Sequence, residues 1–266
     1  MVGAIGDNTI DEYLGLDAHS FVGGNALNVA VQLAALGRTA RYFGAVGPDR
    51  DGERVRRSLV LAGVDVAGLV TVPGRTSVSR IRVDAAGDRH FEFEDFAVCA
   101  DYVPGPRALD LLAECRAAHI GLLPAAAPSV RAWLTGHGVL VSQDCGVTSG
   151  YDNLDIAFCS QAAAGAPATV IAEAAVAGGA RLAVVTCGAE GSLAHDGRTW
   201  WRAGAVPAEV VDTTGAGDSY AAAFLDARLA GADVDQAMAA AAAAAARACA
   251  HRGAWPQDPV PLGSGA

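Results

Sequence analysis

Two hydrophobic periods alternate along this chain. Apolar runs of strand length occupy residues 2–5, 41–46, 119–122, 139–142, 156–158 and 182–186, whereas residues 25–36 and 51–62 repeat their apolar positions at helical spacing. In the first helical stretch Leu27, Val29, Ala30, Val31, Leu33 and Ala34 define a wide buried face. Strand and helix in turn are the pattern of βαβ units, which predicts an α/β fold with a doubly wound, mainly parallel sheet and helices on both faces. Residues 10–22 and 77–96 break the rhythm with short alternating strands and turn residues such as Ala86-Gly87-Asp88, and no helix between them. Such strands predict a separate flap of antiparallel sheet. Residues 256–266 are rich in Pro and Gly and read as a frayed tail.

Composition narrows the classes. A chain of 266 residues with 52% apolar content can bury one large core, so a single domain over 1–266 is expected, with the flap strands inserted at about 10–22 and 77–96. The net charge of −10 sets aside nucleic-acid backbones and anionic membranes as partners. Cys99, Cys115, Cys145, Cys159, Cys187 and Cys249 are scattered without a CxxC pair, which fits small core residues in a reducing cytoplasm. Met1 leads straight into a strand-like run, with no basic region and cleavable apolar segment, an expectation against secretion. The alanine run at 237–250 is helical in character and too short to span a bilayer. His19, His90, His119, His137, His195 and His251 show no metal-ligand spacing and read as surface or strand-end residues. Neither a nucleophile elbow with Ser-His-Asp order nor G-x-x-x-x-G-K-[ST] occurs, so a hydrolase or a Walker-type ATPase finds no support.

The densest chemistry lies in Asp212-Thr213-Thr214-Gly215-Ala216-Gly217-Asp218, between a β-like run, Glu209-Val210-Val211, and a helical pattern at 219–229. Two glycines around a small alanine leave backbone N–H groups at a helix N-terminus free to close on an anion. A carboxylate beside such a hole is awkward for simple phosphate binding but suits removal of a proton from an attacking hydroxyl. Taken alone, the heptad also fits a Gly-rich turn with Asp218 as an ordinary helix cap. A second Gly-rich element, Gly23-Gly24-Asn25-Ala26-Leu27-Asn28, opens the first helix, and a third, Thr186-Cys187-Gly188-Ala189-Glu190-Gly191, follows a strand.

Together these segments resemble the signatures of the ribokinase-like (PfkB) carbohydrate kinases, in order and spacing across nearly the whole chain. The resemblance implies a kinase fold with a sugar-covering β lid, ATP and Mg2+ as cofactors, and a possible monovalent cation such as K+. It implies Asp218 as catalytic base, with the amides of Gly215, Ala216 and Gly217 on the transferring phosphate. Asp11, Gly23, Gly24 and Asn28 would meet the sugar, and Thr186, Gly188, Gly191 and Thr214 the nucleotide, with adenine against the alanines around 242–249. The lid of this family also implies a possible homodimer.

One motif departs from the family. Its mid-chain N-x-x-E, which organises Mg2+ and its waters, is replaced by Ser160-Gln161-Ala162-Ala163. Asp144, at the end of the strand 139–142, is an acidic candidate near the triphosphate. Ile5-Gly6-Asp7-Asn8-Thr9-Ile10-Asp11-Glu12-Tyr13, the run 155–160 and the closing His251-Arg252-Gly253-Ala254-Trp255 are similar to the branch of the family acting on fructosamines such as fructoselysine. That branch also departs from N-x-x-E here, though an acid that it carries shortly afterwards is missing from this chain. In Phe91-Glu92-Phe93-Glu94-Asp95-Phe96, alternation predicts Glu92 and Glu94 on one face and aromatics on the other. An acidic lid face would suit a ligand ammonium; equally, the charges would keep an edge strand soluble.

Overall fold

The computed structural model describes residues 1–15, 18–83 and 89–262. The chain opens with β1 (Val2–Ile5), β2 (Thr9–Leu14), β3 (His19–Gly23), α1 (Asn25–Ala35), β4 (Ala40–Val46), α2 (Arg50–Leu61) and β5 (Asp65–Thr71). It continues through β6 (Val78–Val83), β7 (Arg89–Asp95), α3 (Ala97–Ala100), α4 (Pro106–Ala113), β8 (Ala117–Ile120), α5 (Ala127–Gly136) and β9 (Leu140–Asp144). The second half holds β10 (Ile156–Ser160), α6 (Gln161–Ala164), α7 (Ala168–Ala177), β11 (Ala183–Thr186), β12 (Ser192–His195), β13 (Trp200–Ala203), α8 (Ala216–Leu229), α9 (Val234–Ala248) and β14 (Val260–Pro261).

Nine strands form the main sheet in the order β13-β12-β11-β10-β9-β8-β1-β4-β5. All neighbours from β5 to β11 run parallel, and β12 runs opposite to them, pairing antiparallel with β11 on one side and β13 on the other. Parallel strands carry helices on both faces, and two buried clusters lie accordingly on opposite sides of the sheet. One holds α1, α8 and α9 through Leu27, Leu33, Phe224 and Met238; the other holds α5 and α7 through Val130, Leu134 and Ile171. The expected doubly wound sheet is present. One geometric consequence governs function: the carboxyl ends of β1, β8, β9, β10 and β11 share one edge, where open α/β sheets receive ligands.

The second sheet has five strands in the order β14-β3-β2-β6-β7. Its neighbours are antiparallel except β2 and β6, which pair parallel. The expected turn Ala86-Gly87-Asp88 lies outside the described residues, as do residues 16, 17 and 263–266.

Three local expectations are corrected. Glu209-Val210-Val211 is not a strand: Val210 and Val211 are 62% and 55% exposed, and the Val211 N–H is taken by the Cys249 carbonyl at 2.8 Å. With its donor spent on a helix end and no strand paired to it among the described residues, the β preference of two valines is not realised. Residues 256–262 are pinned, since Gln257 accepts from Val22 N at 2.9 Å and donates to Val22 O at 2.8 Å, and β14 pairs with Ser20 and His19. Those contacts satisfy the otherwise open edge of β3. His119 is no surface or strand-end residue either. It lies fully buried in β8 against Ser142, and burial pushes its imidazole down to about 3.

Candidate active site

Helix α1 begins at Gly24, which has no side chain to cap the first amides. The Asp7 carboxylate, arriving from the end of β1, supplies that cap by accepting from Asn25 N at 2.8 Å and Ala26 N at 3.1 Å. It also accepts from Leu122 N at 3.1 Å, just past β8. Burial raises the pKa of Asp7, and these backbone donors pull it back. Asp7 thereby joins two strand ends to one helix start. Gly24 has φ +112°, and a Cβ there would sit 2.5 Å from Asn8 Cα, so this approach is open to glycine alone. At Gly23 a Cβ would collide with the Asp11 carboxylate.

Helix α8 begins at Gly215 with φ +72° and no side-chain cap. A Cβ at Gly217 would meet nothing within 4 Å, so the first turn opens onto space and its amides can receive an anion. Asp218 lies within the helix, and its carboxylate turns away from the helix's own amides. Asn25 Nδ2 donates to its Oδ1 at 2.7 Å and Asn28 Nδ2 to its Oδ2 at 2.8 Å. The cap alternative is thereby removed.

Asn25 Nδ2 also donates to Asp144 Oδ2 at 2.7 Å, so one amide bridges two acids. Burial pushes Asp218 well above the usual carboxylate range; the Asn28 bond lowers it, and the charges of Asp144, Asp7 and Asp11 raise it again. Asp144 is raised by burial as well, partly offset by Gly146 N and the Asn25 amide. A buried carboxylate whose pKa is raised in this way is a stronger base than an exposed one and is suited to accept a proton. The Oδ1 atoms of Asn25 and Asn28 are buried and have no hydrogen-bond partner among the described residues.

Asp11 is buried on β2, on the face that pairs with Phe21 and Ser79. Thr186 ends β11, with its hydroxyl 3.3 Å from the Cys159 carbonyl, and Gly188 and Gly191 take φ +57° and +93° in the turn that follows. Ser192, next in sequence, hydrogen-bonds Tyr220 of α8 at 2.9 Å, which ties this turn to the helix carrying Asp218. Thr214 donates N and Oγ1 to Asp212 Oδ1 at 2.8 and 2.7 Å. Asn28 therefore meets Asp218 directly, whereas Asp11 stands on the small sheet. Asn25, Tyr13 and Asp212 were not singled out from sequence, and Asp144 was named without its partner. All three stood inside motifs quoted above, Asn25 in Gly-Gly-Asn, Asp212 at the head of the heptad and Tyr13 at the end of the run from Ile5, but the contacts that give them roles are spatial.

Two further expectations meet the structure here. Ser160, in place of N-x-x-E, caps α6 by accepting from Ala163 N at 3.5 Å, and no group of three His, Cys, Asp or Glu fit to hold a metal exists among the described residues. Asp144 and Asp218, joined through Asn25 Nδ2, are a pair of carboxylates whose oxygen chemistry could meet a hydrated Mg2+. The lid alternation fails at a β-bulge: Phe93 pairs with Arg80 and Phe91 with Ile81, leaving Glu92 as the extra residue. Glu92 forms an ion pair with Arg82, whereas Glu94 pairs with Ser79 and so shares the face of Asp11. Phe93 is exposed beneath the Arg80 guanidinium, 5.2 Å from its ring centre. The two acids do not share a face.

The model of the pfkB family carbohydrate kinases matches residues 12–123 and 155–260. The fructoselysine 6-kinase of Shigella flexneri is 33% identical over 260 residues, covering 94% of this chain and 98% of that protein. An ATP-dependent ribose-1-phosphate kinase of Halopiger xanaduensis is 30% identical over 228 residues, 81% of this chain and 76% of its own. The structure of Arabidopsis thaliana ribokinase complexed with ribose and ATP superposes with a TM-score of 0.86 over 95% of this chain and 93% of that one, at 21% identity. That last likeness shows the fold.

Proposed function

Because this chain belongs to the pfkB family of carbohydrate kinases, a phosphotransferase family acting on sugars, we propose that it transfers phosphate from ATP to the 6-hydroxyl of a fructosamine of the fructoselysine type. The observation that carries the chemistry is Asp218, a buried carboxylate held at both oxygens by Asn25 and Asn28 and two residues into a helix whose first turn is open. In this reading the sugar rests against Asp11, Gly23, Gly24 and Asn28 with its primary hydroxyl at Asp218. Asp218 takes the hydroxyl proton, and the amides of Gly215, Ala216 and Gly217 stabilise charge developing on the phosphoryl oxygens. Thr186, Gly188, Gly191 and Thr214 face the nucleotide. Asp144 and Asp218 are the residues proposed to hold the waters of a bound Mg2+, which would neutralise charge on the phosphates.

The fructosamine assignment draws on the relative at 33% identity and on Glu94, an acid on the Asp11 face available to an ammonium group. The pairing of Glu92 with Arg82 favours a second reading, an unmodified ketose or ribose, because it removes one of the two expected acids from the lid face. A panel of fructoselysine, other fructosamines, fructose and ribose with ATP, with products resolved by mass, decides between them. Faster turnover of fructose or ribose than of any fructosamine refutes the first reading. A homodimer through the small sheet is also proposed, supported by the exposed Phe93 and Val260, and is measured by light scattering in solution. Among the described residues no helix is long and apolar enough to cross a membrane.

A further inference from the structure

Tyr13 stands two residues from Asp11 on β2, so both side chains leave the same face of the small sheet. Its ring is fixed on three sides. It stacks on His19 with centroids 5.3 Å apart, meets Phe21 edge-on at 5.7 Å, and shares a buried cluster with Phe21 and Ile81. Its hydroxyl leaves that cluster and reaches the phosphate-facing turn, donating to Asp212 Oδ2 at 3.0 Å and lying 2.9 Å from Thr214 Oγ1.

Asp212 determines the shape of that turn. Its Oδ1 accepts from Thr214 N and Oγ1 at 2.8 and 2.7 Å, and its Oδ2 accepts from Gly253 N at 2.9 Å as well as from Tyr13. Of these four donors only Tyr13 belongs to the small sheet. Gly215, which follows Thr214, has φ +72° and is backed by Ala254, where a Cβ would lie 2.5 Å from the Ala254 Cβ. A shift of Asp212 therefore moves Thr214 and the start of α8 together, since the backing leaves little slack.

We propose that Tyr13 is a positioning residue that couples the sugar-facing sheet to the phosphate-facing turn, so that the amides of Gly215–Gly217 are aligned only when the sheet that carries Asp11 is seated. This rests on the reading above that Asp11 meets the sugar and Gly215–Gly217 the phosphate. In this proposal Tyr13 acts through Asp212 and Thr214, which its hydroxyl contacts. The coupling makes sugar binding and nucleotide binding mutually reinforcing, because whichever ligand seats its side first pays the ordering cost for the other.

The test compares wild type, Tyr13→Phe, Asp212→Asn and the double variant, all over residues 1–266. Phenylalanine keeps the packed ring and removes only the hydroxyl. Steady-state kinetics use fructoselysine and Mg2+-ATP, and calorimetry measures the affinity of the β,γ-methylene analogue of ATP with and without saturating fructoselysine. Sugar is expected to tighten analogue binding in wild type by about fivefold or more. In Tyr13→Phe kcat falls about tenfold, both KM values stay within about threefold, and the tightening falls at least about threefold. The double variant is no worse than the poorer single one, because both break the same bridge.

Any of three results overturns the proposal: Tyr13→Phe keeps kcat and the tightening, wild type shows no tightening, or the losses of the two variants multiply. A purely structural Tyr13 would lower the melting temperature and leave the tightening intact, which also overturns it. Failure of the functional reading is seen separately and earlier, as wild type that transfers phosphate to no sugar in the panel.

Discussion

Replacing Asp218 with asparagine separates its charge from its shape. The carboxylate accepts Asn25 Nδ2 at 2.7 Å and Asn28 Nδ2 at 2.8 Å. An amide has one oxygen, so one of these contacts becomes donor against donor. The buried Oδ1 of Asn28 has no partner among the described residues, and turning that side chain over lets it receive the new NH2 group. Two charge-assisted bonds then become two neutral ones, a loss of about 1 kcal/mol each. Against that stands removal of a buried charge, whose penalty is several kcal/mol per ion in general and is aggravated here by Asp144, Asp7 and Asp11. The second effect is the larger, so Asp218→Asn is expected to melt at or above the wild-type temperature.

Alanine instead strands both asparagine donors, at about 1–3 kcal/mol each, and is expected to melt lower. Loss of the base lowers kcat about 10²- to 10⁴-fold in the asparagine variant, or about 3–5 kcal/mol at the barrier, with sugar and ATP binding largely kept. Asp218 has a folded pKa raised above the ordinary 3.8, so its contribution to stability is full below that value and is lost as pH rises through the folded pKa. The asparagine variant should show a flatter dependence of stability on pH, and wild-type kcat/KM should rise with pH through the same folded value. Calorimetric melting across pH and initial rates on the sugar panel measure both quantities. Retention of more than about a tenth of wild-type turnover, or melting as low as the alanine variant, refutes the reasoning.

Asn28→Ala and Asp11→Ala should each weaken the sugar KM by about 1–3 kcal/mol in equivalent free energy, but only Asn28→Ala should also lower kcat, because only Asn28 touches Asp218; an equal loss of ATP affinity measured without sugar in both would point to damaged folding instead. Glu94→Gln should lower the ratio of fructosamine to fructose kcat/KM by about tenfold, equivalent to about 1.4 kcal/mol, and Glu92→Gln should leave it unchanged, since Arg82 already occupies Glu92. A ratio that responds to Glu92 and ignores Glu94 contradicts the face assignment. Gly24→Ala must place a Cβ 2.5 Å from Asn8 Cα at φ +112°, and should cost at least about 2 kcal/mol in urea unfolding; an unchanged midpoint would mean that this backbone can relax.

Local regularities made much of this protein legible before any coordinates. Strand and helix periods repeat within a few residues, so the parallel sheet, the first helix and the interrupting small sheet followed from them, as did the open helix start at Gly215–Gly217. The same locality explains the errors. Glu209-Val210-Val211 has β-forming side chains, yet its fate was decided by the Cys249 carbonyl, and one bulged residue at Glu92 rotated half a strand away from its expected face. What only the tertiary structure decided are contacts between residues far apart in sequence, namely Asp7 capping α1 and holding Leu122, Asn25 bridging Asp144 and Asp218, and Tyr13 reaching Asp212. Asp218 stood out by its local motif, but its partners did not, since Asn25, Asp144, Asp7 and Tyr13 are ordinary polar residues by local pattern. Their roles arise because the parallel strand ends converge on one edge, where burial removes water and leaves each carboxylate to be satisfied by whichever amide or hydroxyl the fold brings within 3 Å.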